Sequence, residues 1–459
     1  MNGPAHLVPP TVRAPAQTSR PWHVAAGPRF FVALLLGLVW MGPAWWDTRF
    51  LYAMAAWDAL VLIAWVVDFR RLPRPGELEI SRIWTEPVSL ALESPVALEV
   101  KNLGTVTVYA SLVDDAPRSL SAQPPRLTLE VPARSSRRAV YPILPQARGD
   151  AAFGRVYVRY QSVAKLAERW ATAPLAQTVR VYPNLQESRR HTLYLIRSRQ
   201  IEMEKRLRRQ PERGREFESL REYREGDEPR DVCWTATARR GRMITKVYRA
   251  ERSQSVLLVI DAGRLMLART GDLTKLDYAV NAALGLAHVA LYSGDGVGLL
   301  AYTRKAQSRL AAARGSAHLR TLLEQLAQVR GELIEADHAR AADTLLTGQH
   351  RRSLIVWLTD MAETAATPEV IESASRLLPR HLVLFAAVGQ PDLAALLTQR
   401  PDSVAAMYRY VAAQEVIQRR ELLLRRLRQQ GALALEFEPG HLATGLVNQY
   451  LQVKERSLL

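Results

Sequence analysis

Cysteine is almost absent: Cys233 is the only one in 459 residues. No internal disulfide can form, and this usage suits a reducing compartment. The nine histidines are scattered, and with one cysteine they make no zinc spacing. There is no Gly-x-x-x-x-Gly-Lys-Ser/Thr loop to cradle nucleotide phosphates, no His-Glu-x-x-His pair and no Gly-x-Ser-x-Gly elbow. The residues for nucleotide hydrolysis, zinc proteolysis and α/β-type serine hydrolysis are therefore missing. Acids are short as well: 45 Asp and Glu stand against 62 Lys and Arg, a net charge of +17. Such a surplus suits an anionic partner, lipid or nucleic acid. Here the arginines are spread widely and no nucleic-acid module is recognisable, so nucleic acid is not the expected partner.

What is present begins with length, enough for two or three domains. Residues 1–29, rich in Pro, Ala and Arg, read as a flexible N-terminus. Phe30–Trp46 is an uncharged apolar run, and Phe50–Val67 is a second with only Asp58 inside it. Each is close to the minimum length for a bilayer span. Residues 30–67 are accordingly expected to form two transmembrane helices in a hairpin. Arg13, Arg20 and Arg29 precede them and Arg70, Arg71 and Arg74 follow, which by the positive-inside rule places both flanks in the cytoplasm. Asp58, near the middle of the second run, reads as a paired or protonated structural residue, since no second intramembrane charge marks a conduction path.

Residues 77–183 change character. Val96–Val100, Val106–Leu112, Arg126–Val131, Arg137–Ile143, Arg155–Tyr160 and Thr178–Tyr182 are short segments, several with period-two alternation, separated by turn residues. That spacing predicts a small antiparallel β-sandwich, a spacer or binding module without a catalytic constellation. Residues 188–214 form a basic connector. From residue 255 to 459 apolar strands alternate with helical patterns. Strands are expected at Val256–Asp261, Gly296–Tyr302, Leu354–Thr359, Leu382–Val388 and Ala432–Phe437, with an edge hairpin strand at Ala306–Ala312. Helices are expected at Leu276–Tyr292, Ala317–Val329, Pro368–Leu378, Val404–Gln430 and His441–Lys454. The fold class is α/β, a doubly wound, mostly parallel sheet. Asp261 and Asp360 each sit just past an apolar strand, where such sheets bind ligands.

The densest stretch lies between, at 215–251. Gly226-Asp227 is a turn signal, and Pro229 to Arg240 reads as a short helix stopped by Gly241. Arg221 and Glu225 would pair if that part were helical. Phe217, Leu220 and Trp234 are the expected buried anchors, with Arg221, Arg224, Arg230, Asp231 and Arg239 forming ion pairs around them. Two roles are open: a structural clamp on the domain that follows, or a partner-docking surface. The residues proposed for either are Glu216, Phe217, Leu220, Arg221, Tyr223, Gly226, Asp227, Arg230, Asp231, Trp234, Ala238 and Arg239.

Arg-Glu-Phe, Leu-Arg-Glu-Tyr, Gly-Asp, Pro-Arg-Asp, Trp-Thr-Ala-Thr-Ala-Arg and Lys-Val-Tyr-Arg-Ala-Glu together resemble the signature of domain-of-unknown-function family 58, with a departure at Thr235, where the family often has Lys, and another at Cys233. The resemblance implies a membrane-anchored bacterial protein with a von Willebrand factor A-like domain, associated with MoxR-type AAA+ ATPases. The implied location is the bacterial inner membrane, multi-pass, with soluble domains in the cytoplasm. The implied role is a non-enzymatic adaptor or scaffold in assembly, maturation or envelope stress.

A von Willebrand factor A domain can hold a divalent cation through Asp-x-Ser-x-Ser, a distant Thr and a second Asp. Here the first loop is Asp261-Ala262-Gly263-Arg264-Leu265, so both hydroxyls are lost; Ser316 is the one hydroxyl where the Thr would sit. Two carboxylates do not supply the oxygens a hard cation needs. No cofactor is expected and Mg²⁺ would bind weakly at most, through Asp261 and Asp360. A metal-dependent ligand-binding receptor is the alternative function.

Overall fold

The computed structural model describes residues 7–18, 24–184, 216–224, 227, 229–249, 254–360, 369–456 and 458. The chain divides into two compact units, Met1–Tyr182 and Pro183–Leu459. The basic connector expected at 188–214 lies outside the described residues.

The first unit opens with β1 (Val12–Pro15), β2 (Val24–Ala26), α1 (Pro28–Gly37), α2 (Met41–Ala44) and α3 (Arg49–Arg71). Nine further strands follow: β3 (Leu78–Trp84), β4 (Ser94–Asn102), β5 (Val108–Asp114), β6 (Arg126–Val131), β7 (Ser136–Ile143), β8 (Gly149–Phe153), β9 (Val156–Ser162), β10 (Ala167–Ala173) and β11 (Gln177–Val181). They form antiparallel sheets in the orders β1-β3-β4-β7 and β2-β10-β9-β5-β6, with β11 paired to β8. Alternate residues of β5, β8 and β9 are buried, as period-two sequences require when one face of a sheet is covered. Arg82 on β3 donates to Asp114 on β5 through Nε at 3.1 Å and Nη2 at 2.5 Å, and to Leu175 O at 2.7 Å. The Tyr141 hydroxyl on β7 donates to the same carboxylate at 2.5 Å. A fully buried ion pair thus links the two larger sheets.

Two expectations for the N-terminal region are corrected. Residues 1–29 are not uniformly flexible: β1 pairs with β3 and β2 with β10. Val12 and Ala14 alternate toward the protein, and Pro15 is tolerated because β1 is an edge strand. The multi-pass expectation also fails. Among the described residues one helix, Arg49–Arg71, is long and apolar enough to cross a membrane. The first apolar run is shorter, Pro28–Ala44, and it is interrupted by a 3₁₀ turn at Leu38–Trp40. Gly37 and Gly42-Pro43 weaken its regular hydrogen bonding. At about 1.5 Å per residue it falls short of the roughly 30 Å hydrocarbon layer. With one qualifying span, placing both basic flanks on the same side loses its basis.

The foot of α3 is built into the first unit. Asp68, 8% exposed, accepts from Ser162 Oγ at 2.5 Å, Leu166 N at 3.2 Å and Ala167 N at 2.9 Å. The Arg169 guanidinium lies 4.1 Å from the Phe69 ring centroid and bonds Phe69 O at 3.2 Å.

The second unit begins with β12 (Glu216–Glu222), α4 (Trp234–Arg240) and β13 (Ile244–Arg249), in which the two strands form their own antiparallel pair. An α/β body follows: β14 (Ser255–Asp261), β15 (Arg269–Thr270), β16 (Leu273–Thr274), α5 (Lys275–Tyr292), β17 (Gly296–Tyr302), β18 (Ala306–Ala313), α6 (Ser316–Gln328), α7 (His338–Gly348), β19 (Leu354–Thr359), α8 (Glu369–Leu377), β20 (Leu382–Val388), α9 (Pro391–Thr398), α10 (Val404–Gln429), β21 (Leu433–Phe437) and α11 (Leu442–Glu455). The six-stranded sheet runs β18-β17-β14-β19-β20-β21, parallel except for the antiparallel edge strand β18. The expected strands and the edge hairpin are observed within about one residue. Helices α7 and α9 went unpredicted. Helix α5 is buried nearly all round by Ala and Leu, as a helix covering the middle of a sheet must be. The core centres on Trp357, which stacks on Phe385 with centroids 5.3 Å apart.

The chain leaves β14 on one side, through α5 to β17 and β18, then crosses to β19 on the other. The switch point of the doubly wound sheet is therefore the crevice between the carboxyl ends of β14 and β19.

Candidate functional site

Two places collect the residues singled out in the sequence: the β12–β13 hairpin and the switch-point crevice.

In the hairpin, Glu222 faces Ile244 and Leu220 faces Lys246, with an irregularity between Phe217 and Ser219. Residues 223–243 cross over between the strands. Asp227 organises the start of that crossover. Its Oδ1 accepts from Arg221 Nη2 at 2.6 Å and its Oδ2 from the Arg224 amide at 2.9 Å, while the Tyr223 hydroxyl donates to its carbonyl at 3.0 Å. The Arg224 amide and the Arg221 guanidinium hold the Asp227 carboxyl below its ordinary value. A 3₁₀ turn at Pro229–Asp231 and helix α4 follow, and Gly241 ends the helix with φ +65°. Thr237 secures the return: its hydroxyl accepts from the Ile244 amide at 3.0 Å. The short helix and its glycine stop match the sequence reading.

The anchors do not. Leu220 is 37% exposed and Trp234 69%, with Met243 beside the return strand at 50%. Among its described side chains the hairpin buries Val232, Ile244 and Thr245 instead. Trp234 occupies the first position of a two-turn helix whose strand contacts are made by Thr237, so nothing draws its ring inward. Arg221 sits on a strand and pairs with Asp227; Glu225, its expected helical partner, lies outside the described residues. Ala238 and Arg239 are exposed on α4, and Asp231 is half-buried. The side chains of Glu216, Phe217 and Arg230, and Gly226 altogether, lie outside the described residues.

In the crevice, Asp261 ends β14 and Asp360 follows β19; each is 2% exposed. Asp261 Oδ1 accepts from the Gly263 amide at 2.7 Å and Oδ2 from the Thr359 hydroxyl at 2.7 Å. Burial raises the Asp261 carboxyl above its ordinary value, with Asp360 adding to the rise and His338 and Thr359 opposing it. Asp360 Oδ2 is bonded by Lys275 Nζ and Oδ1 accepts from Arg420 Nη2 at 3.2 Å. Arg420 also donates to Glu436 at 2.6 Å and to Gln390 at 3.4 Å. Lys275 is fully buried and Arg420 2% exposed. Burial lowers the Lys275 ammonium and Asp360 partly restores it.

These cations are positioned by ordinary local rules. Thr274 and Asp277 form a reciprocal cap, Asp277 N to Thr274 Oγ1 at 3.2 Å and Thr274 N to Asp277 Oδ2 at 3.1 Å, so α5 starts at Lys275. Arg420 shares the buried stripe of α10 with Ala413, Leu423, Leu424 and Leu427.

A second buried group adjoins. Trp357 Nε1 donates to the Tyr302 hydroxyl at 2.7 Å, and that hydroxyl meets His338 Nδ1 at 2.8 Å. The tautomer of His338 sets which of the two donates in that contact. Burial lowers the His338 imidazole, in keeping with a neutral ring.

Sequence reasoning missed Lys275, Arg420 and His338. Two signals were available. A lysine at the first position of a helix opposes the helix dipole. An arginine three, four and seven residues before Leu423, Leu424 and Leu427 lies on the apolar face.

Among the described residues no group of three or more His, Cys, Asp or Glu side chains could hold a metal ion. The crevice residues do not fit one: both oxygens of each carboxylate already accept hydrogen bonds, and two cations contact Asp360. The loop is closed sterically as well. A Cβ on Gly263 would lie 3.0 Å from Ile334 O and 3.1 Å from Ala336 N, so a serine at this position would crowd the covering segment.

Residues 219–397, from within β12 into α9, match the family model described as Protein of unknown function DUF58. This part of the chain is similar to that family. The matched segment takes in most of the hairpin and the sheet through β20, in a mixed α/β fold. Uncharacterized proteins of Mycobacterium tuberculosis and Mycobacterium bovis are each 28% identical over 210 residues, 42% of this chain. The match spans 62% of the length of those relatives. Among solved structures, BatB from Bacteroides thetaiotaomicron is 15% identical with a TM-score of 0.30, covering 44% of this chain and all of that one. An aerotolerance-related membrane protein from Bacteroides fragilis is 18% identical at 0.28, covering 43% and 98%. At those scores neither structure bears on the function of this chain.

Proposed function

We propose that the chain is a non-enzymatic adaptor whose β12–β13 hairpin docks a partner protein. The observation that carries this reading is exposure: Trp234, Leu220 and Met243 present apolar surface on a small hairpin that already has its own buried set. Exposed aromatic anchors of this kind carry much of the energy in protein interfaces. By family resemblance the partner is a MoxR-type AAA+ ATPase, supplying the nucleotide chemistry for which this chain has no phosphate loop. The role is assembly, maturation or envelope stress. In this reading α3 anchors the chain to a membrane, the sheets of residues 77–183 form a spacer sandwich, 188–214 connects, 215–251 docks and 255–459 is the supporting α/β domain. The metal-dependent receptor is disfavoured, because the carboxylates it would use are already occupied.

The test is binding of a purified MoxR-type ATPase to the full-length protein in detergent, with and without an ATP analogue. Trp234→Ala and Leu220→Ala are expected to weaken binding by about tenfold or more each, with melting temperature unchanged. Arg221→Ala with Asp227→Ala is expected to lower the melting temperature as well, since Asp227 organises the crossover. No binding in either nucleotide state rejects the ATPase as partner, and undiminished binding by the Trp234 variant rejects the hairpin as the surface.

A further inference from the structure

The switch-point crevice contains a charge arrangement that the docking reading does not use. Lys275 reaches it from the start of α5, Asp360 from the end of β19, Arg420 from the middle of α10 and Glu436 from β21. Three of the four are at most 2% exposed. Buried carboxylates at the end of a parallel sheet need compensating positive charge. A divalent ion would supply it from solution. Here it comes from side chains: the Lys275 ammonium bonds one Asp360 oxygen and the Arg420 guanidinium the other at 3.2 Å, with Glu436 Oε1 2.6 Å from Arg420 Nη1. The loop above is closed by backbone bonds, Glu332 N to Ala262 O and Arg264 N to Ile334 O, both 2.9 Å.

We propose that Lys275 and Arg420 are the resident cations of this crevice, taking the place of a divalent ion and clamping α5 and α10 to β19 through Asp360. The α/β domain is then built to stand without a metal, and any ligand it takes is recognised by surface contacts instead of a metal-bridged carboxylate. Arg420 has a second consequence. It fixes the inner half of α10, while Val404, Met407, Tyr408 and Val411 on the outer half stay exposed.

Thermal unfolding of the full-length protein in detergent tests this. EDTA and millimolar MgCl₂ or MnCl₂ are each expected to leave the melting temperature of the unaltered protein within about 1 °C. Lys275→Met, which removes one of the two cations that compensate the buried Asp360 carboxylate, is expected to lower it by roughly 6–15 °C. Lys275→Met combined with Asp360→Asn is expected to recover more than half of that loss, which an unrelated packing defect would not show. If the single variant fails to fold, recovery of a folded double variant supports the proposal equally. The proposal is overturned if Mg²⁺ or Mn²⁺ raises the melting temperature of the unaltered protein by several degrees and Asp360→Asn abolishes the rise. It is also overturned if Lys275→Met melts with the unaltered protein, or if the double variant is no better than the single one.

Discussion

Several titratable residues of the second unit are buried where apolar side chains would be expected. His338 is the clearest case for titration. Asp261, Asp337 and Glu369 act on it as anions, yet burial wins and its pKa lies below the ordinary value. His381 is lowered too, by burial and by Arg380. A lowered histidine stays neutral in the folded state while the unfolded chain takes up protons. Its contribution is present above the ordinary histidine value and is lost as pH falls through the folded one. Asp261, raised by burial, acts in the opposite sense: its contribution is full below the ordinary carboxyl range and is lost as pH rises. Between about pH 7.5 and 5.5, where unfolded histidines titrate, the melting temperature of the second unit's transition is expected to fall. His338→Gln should flatten that slope and leave a remainder from His381. A slope identical in the variant would assign the pH dependence elsewhere.

At the scale of elements, the strongest local construction in the first unit is the link between β3, β5 and β7. Arg82 and Asp114 are both fully buried, bidentately paired, and completed by Tyr141, whose hydroxyl is pushed upward by burial and by Asp114. Removing one partner of such a pair leaves an uncompensated charge. Asp114→Ala is expected to destabilise the first unit by about 3–5 kcal/mol, readable by chemical denaturation. A loss below about 1 kcal/mol would mean that water or a neighbour solvates Arg82, as at exposed pairs. The foot of α3 is a second construction of this kind. The three hydrogen bonds accepted by Asp68 join an apolar helix to β9, β10 and the turn between them. The helix is thereby continuous with a folded sheet rather than attached by a loose tether.

At the scale of the whole molecule, a chain with net charge +17 carries, among the described residues, one 23-residue helix with an 18-residue window of mean hydropathy 2.0, of which 6% is buried. Exposed apolar surface of that extent needs a non-aqueous neighbour. The full-length protein is expected to remain in the membrane pellet after alkaline carbonate extraction, and release into the supernatant would remove the anchor from the proposal. The whole chain also shows how charge balance and charge placement differ. The excess of arginine visible in the composition is spread over both units, whereas the arginines that organise structure act on one or two carboxylates at short range: Arg82 on Asp114, Arg221 on Asp227, and Arg420 on Asp360 and Glu436.

The alternation of apolar strands and helical patterns by itself determined the α/β body, its edge hairpin and the place of Asp261 and Asp360 at the strand ends. Those features follow from local periodicity, which a linear reading measures directly. The turn at Asp227 and the glycine stop at Gly241 were legible for the same reason. Other features depended on distance along the chain. Lys275, Asp360 and Arg420 are 85 and 60 residues apart, and only the crossing of the chain at the switch point brings them together. Trp234 and Leu220 had the composition of core residues, but their exposure was decided by what the hairpin packs against, which no local pattern encodes. The first apolar run had nearly the hydrophobicity of a span; its 3₁₀ interruption, set by backbone hydrogen bonding around Gly37 and Gly42-Pro43, decided otherwise. Local propensity thus specified the elements, and tertiary contact specified which charges are neutralised and which apolar side chains remain available to a partner.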